Sequence, residues 1–158
     1  MYAFARNQQI PSEKKFVNCP KCTTFVVKKT NFIMETRKHL AAERKKTCNC
    51  AQAVIATYAD LAGIDEETAM AMGNAFGSGM GNMEGTCGAL TGAAMVVGLV
   101  TRDKLRSRKV MSKIMTEFQT RNGATQCKLL KGVGTGQVLR SCEGCVADAS
   151  EMLEKELF

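Results

Sequence analysis

The sequence has one histidine and no tryptophan, and several familiar sequence features are missing from it. The one histidine, His39, does not follow a cysteine pair as CxxCH, so covalently attached haem is not expected. The most apolar stretch, Cys87 to Val100, is shorter than the roughly 20 residues that a helix needs to cross a bilayer. We therefore predict a buried helix there and no membrane span. No charged leader with an apolar run opens the chain, which favours a cytoplasmic protein.

Negative charge is scarce near the N-terminus, and this gives the chain its formal net charge of +7. Residues 1–47 contain 11 Lys and Arg but 3 Asp and Glu, whereas residues 48–86 contain no Lys or Arg. Phe16, Phe25 and Phe32 are interleaved with the basic residues. This segment lacks the ordered pattern of any nucleic-acid-binding module. Its composition therefore argues against nucleic acid as the partner.

A phosphate-binding loop is also absent, although the sequence has a glycine run from Gly77 to Gly85. Asn82 stands where the third glycine of GxGxxG belongs, and no GK[ST] follows. Glycine lets the backbone pass close to another object, so we expect this run to approach a cofactor or a neighbouring helix. Gly88 and Gly92 then share one face of the next helix. That face can serve an intrachain contact or a homodimer.

Apolar residues recur at helical spacing through most of the sequence after residue 30. The pattern predicts an all-α fold, a bundle of about five to seven helices over residues 31–158. A short extended or β-like arm is expected over residues 1–30. Gly63 is expected to end a helix in the left-handed conformation. Leu40 and Leu61 are expected on buried helix faces.

Cysteine is abundant, with eight among 158 residues. In a reducing cytoplasm such clusters are typical of metal sites or redox groups and not of a disulfide framework. We predict that Cys50, Cys87, Cys127 and Cys142 lie in the first turns of helices, where backbone N–H groups and the helix dipole lower the pKa of a thiol. Four converging thiolates would repel one another, so such a site needs a metal centre, protonation or oxidation to disulfides. The residues alone also allow scattered buried thiols.

Five parts of the sequence match one known cysteine pattern in the right order. They are CNCAQAV at 48–54, FGSGMG at 76–81, GTCGALTG at 85–92, CKLL at 127–130, and Cys142. Over about residues 40–157 they closely resemble the redox-active family that is named for its C_GCAxxG_C_C cysteine pattern. The resemblance implies a compact helical bundle and picks the same four cysteines. A domain related to this family accompanies haems in split-Soret cytochromes, where its cysteines are associated with an iron–sulfur centre.

Asn49 departs from the family pattern, which has glycine at that position, and we expect this helix start to tolerate it. Four further cysteines lie outside the pattern: Cys19, Cys22, Cys48 and Cys145. They give a possible second metal or redox site. The first two form a CxxC that looks like a metal knuckle, and Cys145 completes a second CxxC about 120 residues later, a separation at which shared zinc is a weak inference. Three arrangements stay open: one site from the family's four cysteines, two four-cysteine sites, or a zinc knuckle that competes for Cys142.

The leading hypothesis is an iron–sulfur cluster of unspecified type held by the family's four cysteines. The backbone amides around Gly85 and Gly88 would donate hydrogen bonds to the sulfurs. Such a protein would carry electrons or sense redox state for a redox partner protein that the sequence does not name, and would not convert a substrate of its own. One alternative is thiol–disulfide exchange with Cys87 as the nucleophile. The other is a zinc ion bound by four cysteines, which would stabilise the fold or a partner interface.

Overall fold

The computed structural model describes residues 37–158, and the described chain is built from helices. The predicted arm over residues 1–30, with Cys19 and Cys22, lies outside the described residues. No strand occurs between residues 37 and 158; Thr86 and Gln126 form an isolated antiparallel bridge. The all-α prediction is therefore confirmed. The helices are α1 (residues 37–44), α2 (Cys50–Thr57), α3 (Ala59–Ala62), α4 (Glu66–Gly73), α5 (Gly88–Thr101), α6 (Lys104–Asn122), α7 (Cys127–Leu130) and α8 (Cys142–Leu157), with a short 3-10 turn at Asn74–Phe76.

The apolar helix α5 is the centre of the fold and packs against α2, α6 and α8. Its two predicted contact glycines face α2. A Cβ atom on Gly92 would lie 2.7 Å from the carbonyl oxygen of Ala51 in α2. One on Gly88 would lie 3.2 Å from the Cβ atom of Cys50 in α2 and 2.7 Å from the carbonyl oxygen of Phe76 in the 3-10 turn. Of the two predicted uses of this face, the structure contains the intrachain contact, and a homodimer stays a prediction.

Large side chains from several helices fill the core around α5. Those that are fully buried include Val54 and Ile55 of α2, Ile114 and Phe118 of α6, and Leu153 of α8. Each such burial contributes about 1.5–3 kcal/mol relative to an exposed side chain. Among residues 37–158, no helix is both long and apolar enough to cross a membrane.

Two leucines that were expected on buried faces are exposed, so those two predictions are wrong. Leu40 is 47% exposed, because α1 turns the small, fully buried Ala41 toward the core instead. Leu61 is 41% exposed. The helix breaks at Tyr58, where φ is −111° and ψ is 12°, and the short α3 that follows turns Ala62 inward.

Polar side chains begin the helices that surround the candidate site. Asn49 accepts a hydrogen bond from the backbone N–H of Gln52, whose side chain accepts the backbone N–H of Asn49 in return. Ser141 caps α8 in the same way through the N–H of Gly144. Such caps contribute about 1 kcal/mol each. Asn49 is therefore an active helix cap at the position where the family pattern has glycine.

Candidate functional site

One cavity of about 100 Å³ lies where the starts of α2, α5, α7 and α8 meet. We call it the cysteine cavity, because five thiols line it. They are those of Cys50, Cys87, Cys127, Cys142 and Cys145.

Four of these thiols stand at the beginnings of helices. Cys50, Cys127 and Cys142 are the first residues of α2, α7 and α8, and Cys87 immediately precedes α5. Helix starts present unpaired N–H groups and a partial positive charge, which favour a thiolate over a thiol. Cys145 lies three residues after Cys142, and residues at this spacing share one face of a helix. Both therefore face the same cavity.

The glycine run holds α7 against the start of α5. A Cβ atom on Gly79 would lie 2.6 Å from the Cβ atom of Cys127, so a side chain does not fit there. The backbone N–H of Cys127 donates to the carbonyl oxygen of Gly85 at 3.0 Å, and that of Cys87 donates to Thr125 at 2.8 Å. The prediction that the glycine run passes close to another object is confirmed, and that object is the residue that begins α7.

Cys50 and Cys142 form one hydrogen-bonded pair of thiols. The hydrogen bond from Cys50 lowers the pKa of Cys142 to about 6, and the positive charges of Lys131 and Lys45 act in the same direction. The pKa of Cys50 is raised, because it donates this hydrogen bond and because it is buried. The negative charge on Cys142 in turn raises the pKa of Lys131. The pair is thus a thiolate on α8 and a thiol on α2.

Cys87 and Cys145 form a second pair of the same kind. The thiol of Cys145 donates to Cys87, and the backbone N–H groups of Ala89 and Leu90 also donate to it, so the pKa of Cys87 is lowered. The pKa of Cys145 is raised by its role as donor and by burial. Each pair therefore joins a cysteine with a lowered pKa, Cys142 or Cys87, to a cysteine with a raised pKa, Cys50 or Cys145.

The two remaining cysteines of the described chain lie in different surroundings. Burial is the main cause of the raised pKa of Cys127, and the charges on Cys87 and Cys142 act in the same direction. The thiol of Cys48 lies 3.1 Å from the carbonyl oxygen of Arg44, outside the lining of the cysteine cavity. Burial also raises the pKa of Cys48.

Three basic side chains complete the wall: Lys45, Lys131 and Arg140. Arg140 donates two hydrogen bonds, of 2.8 and 3.0 Å, to the buried carboxylate of Asp148. Gly144 leaves room for it, since a Cβ atom there would lie 2.6 Å from the Arg140 Nε. The cavity thus combines nucleophilic sulfur with nearby positive charge, a combination that favours electron-rich sulfur species and anions.

Comparison with known proteins places these thiols in a recognised pattern. A family model described as "Putative redox-active protein (C_GCAxxG_C_C)" matches residues 48–156. The chain belongs to this family. No curated protein and no solved structure matches the chain.

The C_GCAxxG_C_C pattern and the cavity overlap without being identical. All four cysteines that we predicted from the sequence as the cysteines of the pattern line the cysteine cavity: Cys50, Cys87, Cys127 and Cys142. Their role as metal ligands stays a prediction. The structure adds Cys145, which the sequence placed with Cys48 in a possible second site. The spacing of three residues after Cys142 on a helix could have indicated this position.

The sequence indicated the glycines near the site but not the basic residues of its wall. Gly88 lines the cavity, while Gly85 holds the start of α7 through its carbonyl oxygen. Of the predicted amide donors at residues 85–89, the N–H of Ala89 bonds to the sulfur of Cys87, joined by that of Leu90. The basic wall carried no signal in the sequence, because its members come from three separate segments.

A cysteine-ligated metal centre needs several donor side chains around one point. Between residues 37 and 158, no three His, Cys, Asp or Glu side chains are arranged around a common point as a metal site requires. The sulfurs are instead arranged as two pairs and one further thiol. Their chemistry nevertheless fits such a centre in this C_GCAxxG_C_C protein, because thiolates at one cavity are the ligands that iron–sulfur clusters and zinc take.

Proposed function

We propose that the cysteine cavity holds an iron–sulfur cluster and that the protein carries electrons or senses redox state. The observation that carries this proposal is the convergence of five thiols from four helix starts on one cavity. The proposed ligands are Cys50, Cys87, Cys127 and Cys142. When bound, such a cluster supplies one-electron chemistry at a potential that depends on burial and on hydrogen bonds to sulfur.

The chain's own residues prepare the site for negative charge. At the start of α5, the backbone N–H groups of Ala89 and Leu90 donate to the sulfur of Cys87. Lys45 and Lys131 add positive charge, which lowers the pKa of Cys142. Without these groups, several thiolates in a confined space would repel one another. The packed core behind the cavity, which includes the fully buried Val54 and Leu153, limits the access of water from that side.

The test is anaerobic purification with metal and sulfide analysis. The proposal expects iron and acid-labile sulfide in the protein, with a visible absorbance that dithionite bleaches. Colourless protein without iron after anaerobic reconstitution would contradict it. Stoichiometric zinc from iron-replete anaerobic cells, without a redox response, would favour the structural zinc alternative.

Serine variants locate the ligands. Replacing any one of Cys50, Cys87, Cys127 or Cys142 with serine should lower the iron content and change the absorbance spectrum, since each removes one thiolate. Cys48→Ser is the matched control, because Cys48 lies two residues from Cys50 but outside the cavity. Equal loss of iron in the control and in the four variants would show that the cavity is not the site.

Thiol–disulfide exchange is the second candidate function, and the contact within each thiol pair favours it. Two neighbouring thiols, of which one has a lowered pKa, can be oxidised to a disulfide and can exchange with a disulfide of another molecule. Mild oxidation of metal-free protein followed by thiol titration tests it. Loss of fewer than two thiols would exclude an intramolecular pair.

A further inference from the structure

The thiols of the cysteine cavity are not equivalent, because four of them form two pairs. All four line the one cysteine cavity, where the thiol of Cys50 hydrogen-bonds to Cys142 and the thiol of Cys145 to Cys87. Within residues 37–158, Cys127 has no thiol as a hydrogen-bond partner. Cys145 lies outside the four-cysteine family pattern, so the pattern alone does not provide the second pair.

The two pairs also differ in exposure. Cys142 is half-buried, whereas Cys50 is 7%, Cys87 4% and Cys145 2% exposed. The cavity of about 100 Å³ holds only a few water-sized molecules. A hydroperoxide as small as hydrogen peroxide fits such a space, while a bulky disulfide does not. Cys142 is therefore the thiol at which a small oxidant first meets the cavity.

We propose that the iron-free protein reduces small hydroperoxides and stores two disulfides, with Cys142 as the entry thiol and Cys145 as the relay to Cys87. This reaction goes beyond the proposed electron carrier, and it does not depend on iron. It takes place in the same cavity, with thiols as the reductant and the hydroperoxide as the oxidant.

The first disulfide forms between Cys142 and Cys50. The Cys142 sulfur attacks one oxygen of hydrogen peroxide and the O–O bond breaks. Hydroxide departs as the leaving group, and Cys142 becomes a sulfenic acid. The Cys50 sulfur then attacks that sulfur, the S–O bond breaks, and the second oxygen leaves. The two thiol protons convert both oxygens to water. Two thiols have lost two electrons, and one peroxide has gained them.

The second disulfide forms by exchange through α8. Cys145 shares a helix face with Cys142, so its sulfur attacks the Cys142 sulfur and releases the Cys50 thiol. Cys87 then attacks the Cys145 sulfur and releases the Cys142 thiol. The protons lost by Cys145 and Cys87 pass to the two released sulfurs, and no electrons are gained or lost overall. A second peroxide then restores the disulfide between Cys50 and Cys142.

Peptide mapping can distinguish all the disulfides in question. Cleavage after Lys, Arg and Glu separates the five thiols into five peptides, of which only the first contains a second cysteine, Cys48. The peptides are 47–66 with Cys50, 85–102 with Cys87, 122–128 with Cys127, 141–143 with Cys142, and 144–151 with Cys145. Iron-free, fully reduced protein is treated with hydrogen peroxide under anaerobic conditions and alkylated before digestion. The proposal expects two linked pairs, 47–66 with 141–143 and 85–102 with 144–151.

Three variants test the order of the steps. Cys142→Ser should slow formation of the Cys87–Cys145 disulfide at least about tenfold, because the buried pair loses its entry thiol. Cys145→Ser should keep the Cys50–Cys142 disulfide and form no second one. Cys48→Ser should form both and so assign peptide 47–66 to Cys50. Cys142→Ala is a second, independent substitution at the entry thiol. Far-ultraviolet circular dichroism of every variant verifies that its helices are intact.

Several results would overturn the inference. They are a main disulfide that includes Cys127, oxidation to sulfinic acids without disulfides, and an unchanged rate for the buried pair in Cys142→Ser and Cys142→Ala. Iron is not part of this readout. Iron binding together with other disulfides would support the proposed cluster and overturn this reaction. The two expected disulfides in a protein that does not bind iron would support this reaction and overturn the proposed cluster.

Discussion

The contact between α2 and α5 sets the position of two of the five thiols, and a single methyl group tests it. Gly92 of α5 lies directly against α2. A Cβ atom added there would lie 2.7 Å from the carbonyl oxygen of Ala51, 3.1 Å from its Cα atom and 3.1 Å from the Cβ atom of Val54. Two of these neighbours are backbone atoms, so Gly92→Ala must move one helix relative to the other.

Gly98 offers a matched control in the same helix. It is exposed, and a Cβ atom there would meet nothing within 4 Å. Replacing glycine with alanine inside a helix stabilises it by about 0.5–1 kcal/mol through backbone entropy. This gain is common to both variants, whereas the overpacking penalty of about 1–3 kcal/mol applies only to Gly92. The two free energies of unfolding should therefore differ by about 1–3 kcal/mol.

Urea denaturation of the two variants and the parent protein measures this difference. With a urea dependence of about 2 kcal/mol per M, the midpoints of Gly98→Ala and Gly92→Ala should lie about 0.5–1.5 M apart. Gly98→Ala should unfold at a higher urea concentration than the parent protein. Equal midpoints for the two variants would mean that α2 and α5 do not approach as closely as the structure has them, and the placement of Cys50 beside α5 would lose its basis.

Two further predictions concern the glycine run and one ion pair. Gly79→Ala should increase the alkylation rate of Cys127 more than Gly81→Ala does, because both have positive φ but only the first would push on that cysteine; equal rates would contradict the contact. Asp60 has a lowered pKa because Arg37 donates hydrogen bonds to it. It thus adds stability that is complete well above its usual pKa of about 3.9 and is lost as the pH falls through its lower value in the folded protein. When the free energy of unfolding is measured by urea denaturation at several pH values, Asp60→Asn should therefore lose less stability between about pH 5 and pH 2 than the parent protein. The same dependence on pH in both proteins would refute the assignment.

The helices were largely predictable from the sequence, because their signals are local. Gly63 ends α3 with φ at 72°, and Ser141 caps α8, both as the residue types indicate. The exposed Leu40 and Leu61 were not predictable. Which side of a helix faces the core depends on the neighbouring helices, and in α1 the small Ala41 makes the close contact instead.

The four helix-start cysteines were predictable for the same local reason, but their pairing was not. Pairing depends on how four helix starts meet in space. Cys50 and Cys142, for example, are 92 positions apart in the sequence (142 minus 50). The basic wall formed by Lys45, Lys131 and Arg140 depends on the same meeting point. Sequence spacing carries no information on such contacts, because each residue comes from a different segment.

Cys145 adds to the cysteine cavity a thiol that the four-cysteine pattern does not include. Four thiolates suffice for a cluster, so a fifth thiol at the same cavity is not needed for binding one. It instead gives Cys87 a neutral thiol as a neighbour, which the four-cysteine pattern alone does not supply. When the cavity contains no metal, this arrangement leaves Cys87 and Cys142 each beside a partner thiol with which it can form a disulfide. We therefore expect the iron-free protein to be protected from irreversible oxidation at Cys87 and Cys142, whereas loss of Cys145 should expose Cys87 to it.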